Sequence, residues 1–369
     1  MKYIGFYSKK YSKYSNSVLS AVNKMDYIAD CIIENGVNVE FISFANSCND
    51  KDESNKTLGE NRNIFYFKSL FPNSNILYRF VNRNIVLIKA FFWLLFNIRV
   101  NETIIVYHSI NYWFLFLLLR KIKSFRIILE VEEIYTDVSK NNFMRRWIEK
   151  SMFELADAFI FSTEGLNNIV NKFNKPYLII NGRYKFEDSN NIYFEDNVIH
   201  AVYAGILDIR KGCIEAINSS QYLDSKYHIH ILGFGKEEEV DSVKRAIEDV
   251  RKKTECKVTY DGILTGENFT RFMQSCHIGL CTQDPDSKFN ATSFPSKVLT
   301  YLCCGLGVVA INIPAIKESQ VSSLVTFYDH QDSLSIARAI KAAKISKEHI
   351  KIKIDYLHKK FVSDLKELL

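Results

Sequence analysis

The run Phe289–Ile311, FNATSFPSKVLTYLCCGLGVVAI, constrains the fold more than any other stretch because it joins a turn, a helix and a buried strand. Pro295 fixes φ and suits a first helical turn, so the sequence predicts a helix over Ser296–Cys303. Gly305 and Gly307 permit a tight exit into an apolar run that is typical of a parallel strand buried on both faces. A helix N-terminus at the carboxyl edge of such a sheet presents unpaired N–H groups. The stretch therefore predicts an anion site that requires no metal.

Composition places the chain among globular proteins large enough for two separate cores, with 369 residues of which 47% are hydrophobic and 24% charged. The net charge of +6 is modest and no basic run is interleaved with aromatics, so we expect an anionic ligand or membrane surface and no nucleic acid. The eight cysteines form no C-x-x-C pair and have no histidine at metal-ligand spacing, which argues against a zinc site and for reduced cytosolic thiols. The amino terminus reads as a first strand rather than a signal peptide.

Strand-like and helix-like runs alternate along the chain, which predicts an α/β protein built from doubly wound sheets. We expect a first Rossmann-like domain over residues 1–183, a polar linker over 184–197, a second Rossmann-like domain over 198–345 and a terminal helix over 346–369. The first loop offers Ser15, Asn16 and Ser17 as a weak phosphate cradle. Asn46–Arg62 is predicted to be a polar surface connection.

Two apolar segments interrupt this pattern in the first half of the chain. Ile85–Phe96 is strongly apolar but shorter than the roughly 20 residues that a membrane span requires. Tyr112–Leu119 is a second such segment, and basic residues flank both. Two interpretations stay open at this point: helices packed in a core, or helices lying in a bilayer interface.

Polar side chains follow two predicted strands of the first domain. Thr103–His108 ends in His108, and the next strand ends near Glu132 and Glu133. The carboxyl ends of parallel strands form the functional edge of an α/β sheet, so these side chains are candidates for acceptor binding or proton handling. A lone histidine is more often structural, and that alternative stands for His108.

The opening stretch resembles a signature of GT-B-fold glycosyltransferases, and within them the retaining family 4 group of bacterial surface-polysaccharide enzymes. The matching positions are Phe294-Pro295-Ser296-Lys297, Thr300-Tyr301, Gly305 and Val308-Val309. The resemblance implies two Rossmann-like domains facing across a cleft, with the terminal helix crossing back to the first domain. It also implies donor contacts from the following residues: Phe294, Pro295, Ser296, Lys297 and Thr300.

The chain departs from this family at two acidic positions. Thr292 and Thr300 stand where the family carries two glutamates, the second of which binds the ribose of the nucleotide. A threonine can form only an uncharged hydrogen bond with a ribose hydroxyl, so the resemblance leaves the ribose contact open.

A second match begins at Gly205, where the family places a loop that runs from a glycine to a lysine-glycine pair. The resemblance implies that Lys211 stabilises the leaving diphosphate. The family carries an arginine directly after the first glycine, where this chain has Ile206, and Arg210 would substitute for that arginine. A solvated basic turn is the alternative. The resemblance further implies donor contacts from two turns, Gly233 with Gly235 and Asp261 with Gly262.

These features predict a glycosyltransferase that moves a sugar from a nucleotide-sugar to a lipid-linked oligosaccharide acceptor, as in bacterial capsule or O-antigen biosynthesis. The resemblance implies a retaining, metal-independent enzyme without a cofactor, cytoplasmic and peripheral on the inner face of the plasma membrane. An inverting transferase or GT-B epimerase, with His108 or Glu132 as base, stays open, and so does a non-catalytic sugar-nucleotide-binding subunit. A dinucleotide oxidoreductase is disfavoured because no G-x-G-x-x-G follows the first strand.

Overall fold

The structure is a computed structural model that describes residues 1–8, 19–47, 55–68, 70–71, 75–135, 143–187, 194, 196–287, 290 and 292–369. It divides into two compact units. The first unit comprises Met1–Arg183 with Lys360–Leu369, and the second comprises Tyr184–Lys359. Ser15, Asn16, Ser17 and most of the expected linker lie outside the described residues.

The first unit is organised around a sheet of eight strands in the order β3-β4-β2-β1-β5-β6-β7-β8. Neighbouring strands pair in parallel except β3 with β4. The strands are β1 Lys2–Gly5, β2 Val39–Ser47, β3 Asn55–Gly59, β4 Arg62–Lys68, β5 Thr103–Tyr107, β6 Arg126–Val131, β7 Ala158–Phe161 and β8 Tyr177–Ile179. The central strands are almost continuously apolar and buried, as expected for a parallel sheet covered on both faces.

Strand β3 corrects the expectation that Asn46–Arg62 is a surface connection. It pairs antiparallel with β4 at the edge of the sheet, with Thr57 opposite Asn63. Asn61 takes a positive φ of 62° in the turn between the two strands. An edge strand keeps one side in solvent, so its polar sequence does not show the apolar run by which buried strands are recognised.

The helices of the first unit flank this sheet. They are α1 Leu19–Glu34, α2 Ile76–Asn97, α3 Trp113–Ile122, α4 Phe143–Leu155 and α5 Glu164–Val170. Helix α2 buries a stripe of residues spaced by four, Asn82, Val86, Ala90 and Leu94. Outside this stripe the helix leaves large apolar side chains exposed, namely Ile76, Leu77, Tyr78, Phe80, Ile88, Phe92 and Phe96.

Helix α2 is longer than the apolar run that the sequence analysis considered too short for a membrane span. Its 22 residues include an apolar window, and among the helices that the structure describes it alone is long and apolar enough to cross a membrane, judged by length and composition. Only 22% of that window is buried in the protein. The exposed apolar side of α2 therefore differs from an ordinary core helix.

The second unit contains a fully parallel sheet of six strands in the order β11-β10-β9-β12-β13-β14. The strands are β9 Ile199–Ile206, β10 Tyr227–Phe234, β11 Lys257–Gly262, β12 Ile278–Cys281, β13 Gly307–Ile311 and β14 Val325–Tyr328. The helices are α6 Cys213–Ser219, α7 Glu237–Arg251, α8 Gly266–Ser275, α9 Ser296–Cys303, α10 Pro314–Lys317, α11 Ser333–Ala342 and α12 Lys347–Leu368. Helix α9 begins and ends where the sequence predicts it.

The last residues of helix α12 belong to the first unit. There the Phe361 ring stacks on Tyr27 at 6.1 Å, Asn35 Nδ2 donates to the Val362 carbonyl at 2.8 Å, and Arg126 Nη1 donates to the Leu368 carbonyl at 2.6 Å. The predicted α/β class, with two parallel-sheet domains and a C-terminal helix, is confirmed.

Candidate functional site

A cavity of about 470 Å³ opens at the carboxyl ends of β9 and β10 in the second unit. It collects eight of the predicted site residues: Gly205, Lys211, Gly233, Phe294, Pro295, Ser296, Lys297 and Thr300. These come from three separated stretches of the chain. The parallel sheet brings them together because all its strands end on one edge.

Two glycines let the backbones of β9 and β10 approach each other beneath this cavity. Gly205 and Gly233 are opposite each other in the strand pair and have φ values of 154° and 152°. A β-carbon at Gly233 would lie 1.8 Å from the Gly205 carbonyl oxygen. A side chain is therefore excluded there, and a bare backbone faces the cavity.

Lys297 supplies the cavity with a buried cation. Its Nζ lies 3.8 Å from the centre of the Tyr203 ring, although part of the side chain remains exposed. The ammonium nitrogen has no hydrogen-bond partner among the described residues. Burial lowers the pKa of Lys297 to about 8, and the Cys281 and Cys213 thiols oppose that shift. An anionic ligand would satisfy this group, since a buried ammonium without a hydrogen bond is costly.

Lys211 supplies a second, half-buried cation from a short 3-10 turn, Ile209–Lys211. Burial lowers its pKa, and the nearby Asp208 carboxylate offsets part of that effect. The turn is fixed against the end of β12, because a β-carbon at Gly212 would lie 1.5 Å from the Thr282 carbonyl oxygen. Gly212 has a φ of 78°, which favours glycine in the same position.

The N-terminus of α9 completes the electropositive side of the cavity. Pro295 is the N-cap residue, and no side chain among the described residues caps the helix with a hydrogen bond. The first N–H groups of a helix carry partial positive charge, and here they lie beside Lys297. Thr300 also lines the cavity, while its Oγ1 donates to the Ser296 carbonyl at 3.1 Å within the helix. Its hydroxyl remains an acceptor for a ligand.

The cavity also has apolar lining residues, which the sequence analysis did not identify as part of the site. Ile206, Phe234 and Ile263 line it and are 48%, 56% and 62% exposed. Tyr301 lies beneath, where its hydroxyl accepts from the Ala204 N–H at 2.9 Å and its ring occupies the space above Gly279. The sequence did contain a signal for Ile206 and Phe234, because each follows one of the glycines that were predicted to contact the donor. Those glycines indicated a backbone contact, and the apolar side chains next to them were not predicted to take part.

Four predicted residues of the second unit do not line the cavity. Arg210 is exposed and binds Asp208 through two hydrogen bonds, of 3.0 and 2.5 Å, which hold the pKa of that carboxyl at about 2. Gly235 packs against the start of α7, since a β-carbon there would lie 2.6 Å from Glu239 Oε2. Asp261, followed by Gly262, accepts a hydrogen bond from His230 Nδ1 at 3.0 Å. Arg210 and Asp261 are thus held by partners outside the cavity, Asp208 and His230.

The two candidates of the first unit have structural surroundings. His108 is 1% exposed, lies 5.0 Å from both the Tyr135 and Phe153 rings, and has its Nε2 atom 3.5 Å from Glu149 Oε1. Burial lowers its pKa to about 3, so the imidazole is neutral at physiological pH. The structure therefore supports the structural alternative for His108.

Glu132 forms an ion pair with Lys24, whose Nζ also donates to the Ile180 carbonyl at 2.9 Å. Beside it, the fully buried Glu130 accepts a hydrogen bond from the Tyr3 hydroxyl. Burial raises the pKa of Glu130, and the charge on Glu132 raises it further. Glu132 thus belongs to a polar cluster that bridges elements of the first unit.

Comparison with known proteins identifies the fold. No protein-family model and no curated protein sequence matches the chain. Sucrose-phosphate synthase from Thermosynechococcus elongatus superimposes with a TM-score of 0.70 at 12% identity, covering 100% of this chain and 98% of that chain. The E. coli trehalose-6-phosphate protein bound with UDP-2-fluoro glucose gives 0.63 at 12% identity, covering all of both chains. The α,α-trehalose-phosphate synthase (UDP-forming) from Burkholderia vietnamiensis gives 0.58 at 10% identity, covering 100% and 98%.

These structures carry names of sucrose-phosphate and trehalose-phosphate synthases rather than of surface-polysaccharide enzymes. The narrower resemblance to the family 4 group therefore stays a prediction. At this level of sequence identity the likeness concerns architecture. The chain has the fold of the GT-B glycosyltransferases.

Proposed function

We propose that the chain is a glycosyltransferase that holds a nucleotide-sugar donor in the cavity of the second unit. The observation that carries the proposal is the Lys297 ammonium group, buried beside the cavity without a hydrogen-bond partner among the described residues. Lys211 and the uncapped start of α9 lie on the same cavity. Their shared complement is a compact, multiply charged anion such as a diphosphate.

Negative charge builds on the leaving diphosphate as the bond between the anomeric carbon of the donor sugar and the diphosphate oxygen breaks and the sugar bonds to the acceptor hydroxyl oxygen. Fixed positive groups beside the leaving diphosphate stabilise the transition state, in which this charge develops, more than they stabilise the ground state. They therefore lower the activation barrier. Lys297 and Lys211 are the groups we assign to this role. In the retaining reaction that we propose, the leaving phosphate accepts the proton of the acceptor hydroxyl, and positioning supplies much of the rate.

The apolar side of the cavity suits the less polar parts of the donor. Ile206, Phe234 and Ile263 expose side chains that a nucleobase or the face of a sugar ring would cover. The E. coli neighbour is bound with UDP-2-fluoro glucose, so UDP-hexoses are the first donors to test.

For the acceptor, we propose a lipid-linked glycan presented at the cytoplasmic membrane surface, as in capsule or O-antigen synthesis. Support comes from the exposed apolar side of α2 together with Arg79, Arg83 and Lys89 on the same helix. Aromatic and aliphatic side chains with basic neighbours favour the interface of an anionic bilayer. This part of the proposal is independent of the donor site.

A donor panel tests the enzymatic part of the proposal. Thermal unfolding is measured with UDP-, GDP-, dTDP- and CMP-sugars, and the donor that raises Tm is then assayed for release of its nucleoside diphosphate or monophosphate with glycan acceptors. We expect one nucleotide class to stabilise the protein and to be turned over. Stabilisation without turnover on any acceptor would favour the sugar-nucleotide-binding subunit, and no stabilisation by any donor would contradict the proposal.

Sedimentation with vesicles tests the membrane part. We expect binding to vesicles of anionic phospholipid at low salt and release as salt rises, because screening weakens the attraction. The double variant Phe92→Ser/Phe96→Ser should weaken binding, whereas Phe173→Ser, an exposed aromatic of the same unit outside α2, should not. Equal sedimentation of all three proteins would exclude α2 as the contact.

A further inference from the structure

Three histidines of the second unit share one face of its sheet away from the cavity. His200 on β9 is opposite His228 on β10, and His230 follows two residues later on the same face. All three are buried, and one ring nitrogen from each lies within 4.8 Å of the others. The cavity residues Gly205 and Gly233 lie further toward the carboxyl ends of the same strands.

The outward-facing nitrogen of each ring has its own partner. His200 Nε2 lies 2.8 Å from Asp196 Oδ1, and His230 Nδ1 lies 3.0 Å from Asp261 Oδ2. A carboxylate oxygen accepts hydrogen bonds, so we assign a hydrogen to each of these two ring nitrogens.

The third ring is fixed by a threonine. The Thr259 hydroxyl donates to Asp261 Oδ2 at 3.0 Å, and its oxygen lies 2.9 Å from His228 Nε2. Since the single hydrogen of the hydroxyl goes to Asp261, the threonine oxygen accepts from His228 Nε2. In the neutral form of each ring the other nitrogen is a lone pair that can bind a metal ion, namely His200 Nδ1, His228 Nδ1 and His230 Nε2.

Two of these nitrogens face each other. His200 Nδ1 and His230 Nε2 are 2.9 Å apart. Two ring nitrogens at that distance share either a proton or a metal ion. Two imidazole ligands on a tetrahedral zinc ion, each at about 2.0–2.1 Å from it, stand roughly 3.3 Å apart, so a small opening of the pair would admit the ion.

The geometry points to a divalent transition-metal site of the zinc class, formed by one ring nitrogen from each of His200, His228 and His230. Neutral imidazoles are the ligands that such ions favour, and hydrogen bonds from the far side of each ring fix its tautomer and orientation. Asp196, Asp261 and Thr259 provide those bonds.

Aromatic rings shield the histidines. Phe194 stacks on His200 at 3.9 Å and Phe272 meets His230 edge-on at 5.1 Å. The ion would join β9 and β10 directly and β11 through Asp261, so its expected effect is on the stability of the second unit. The sequence analysis missed the site because its ligands are placed by strand pairing and not by a local motif.

Titration of the full chain with Co²⁺ and Zn²⁺, after treatment with a chelator, tests the site. We expect one equivalent of Co²⁺ to bind with the intense visible bands of a low-symmetry, four-coordinate ion, and Zn²⁺ to displace it and raise Tm. His228→Gln and His230→Gln should abolish these bands. His330→Gln removes an exposed histidine elsewhere in the same unit and should retain them.

A further variant tests the site without removing any of the three histidines. Asp261→Asn keeps all three ligand nitrogens but weakens the support of His230, and we expect affinity to fall by about 10- to 100-fold. Circular dichroism of each metal-free protein checks its folding. The inference is overturned if the folded wild-type chain binds no Co²⁺, or if it binds Co²⁺ no better than the His228→Gln/His230→Gln double variant.

Discussion

Lys24 in the first unit and Lys297 in the second both bury an ammonium group, and their surroundings differ in a way that separates structure from function. Lys24 donates to Glu132 and to the Ile180 carbonyl, so its charge is matched within the protein. Lys297 has a ring face and two thiols nearby but no hydrogen-bond partner in the described part of the chain. A matched buried charge holds elements together, whereas an unmatched one beside a cavity leaves room for a ligand.

The largest expected effect concerns Lys211, which lies on the same cavity. Lys211→Ala should lower the rate of glycosyl transfer by roughly 100- to 1000-fold, the usual loss when a group that stabilises transition-state charge is removed. Steady-state release of nucleotide measures it. Lys244→Ala, an exposed lysine on α7, is the matched control, and Arg210→Ala should lose less because that guanidinium is bound to Asp208. An unchanged rate for Lys211→Ala would remove this residue from the reaction.

For Lys24, whose charge is matched within the protein, we predict a loss of stability instead. Lys24→Met leaves Glu132 without its partner and should lower the free energy of unfolding by about 1–3 kcal/mol. Urea unfolding measures the change, with Lys150→Met as the control for an exposed pair. Glu132→Gln should destabilise in the same sense. If Glu132→Gln instead lost transfer while keeping full stability, Glu132 would be catalytic after all.

The lowered pKa of Lys297 predicts a pH dependence. The protonated ammonium binds an anion and the neutral amine does not, so nucleotide affinity should fall as pH rises through about 8. In the absence of nucleotide, the stability of the folded protein depends on pH with the opposite sign. The unfolded chain binds the proton more tightly than the folded one, so this residue makes stability rise with pH between about 8 and the ordinary lysine value. Calorimetric affinities across this range check the first statement, and a dependence unchanged in Lys297→Met would contradict it.

The smallest effect is expected at Thr300, where the related family carries a glutamate. Thr300→Val removes one neutral acceptor from the cavity and should weaken nucleotide binding by about 1 kcal/mol or less. Thr300→Glu should tighten binding if this position faces the ribose, because the hydrogen bond becomes charge-assisted. Titration of the free nucleotide into both variants decides, and identical affinities would place the ribose elsewhere.

Much of the fold follows from local sequence patterns. The bounds of α9 were predicted because proline and glycine punctuate it, and β13 because its apolar run is uninterrupted. Contacts that depend on pairing between distant strands, or between neighbours in a turn, were not predictable in the same way. Arg210 binds Asp208 two residues earlier, Asp261 binds His230 across a strand pair, and the edge strand β3 lacks an apolar pattern.

The central claim is that the unmatched Lys297 ammonium group awaits the diphosphate of a nucleotide-sugar. Isothermal titration of UDP and UDP-glucose into wild type, Lys297→Met and Lys317→Met tests it most directly. Lys317 also lies over an aromatic ring, Phe327 at 4.7 Å, but outside the cavity. The account predicts binding by wild type and Lys317→Met, with proton uptake near pH 8, and a loss of roughly 10-fold or more in Lys297→Met. Equal affinity for all three proteins, without proton uptake, would contradict it.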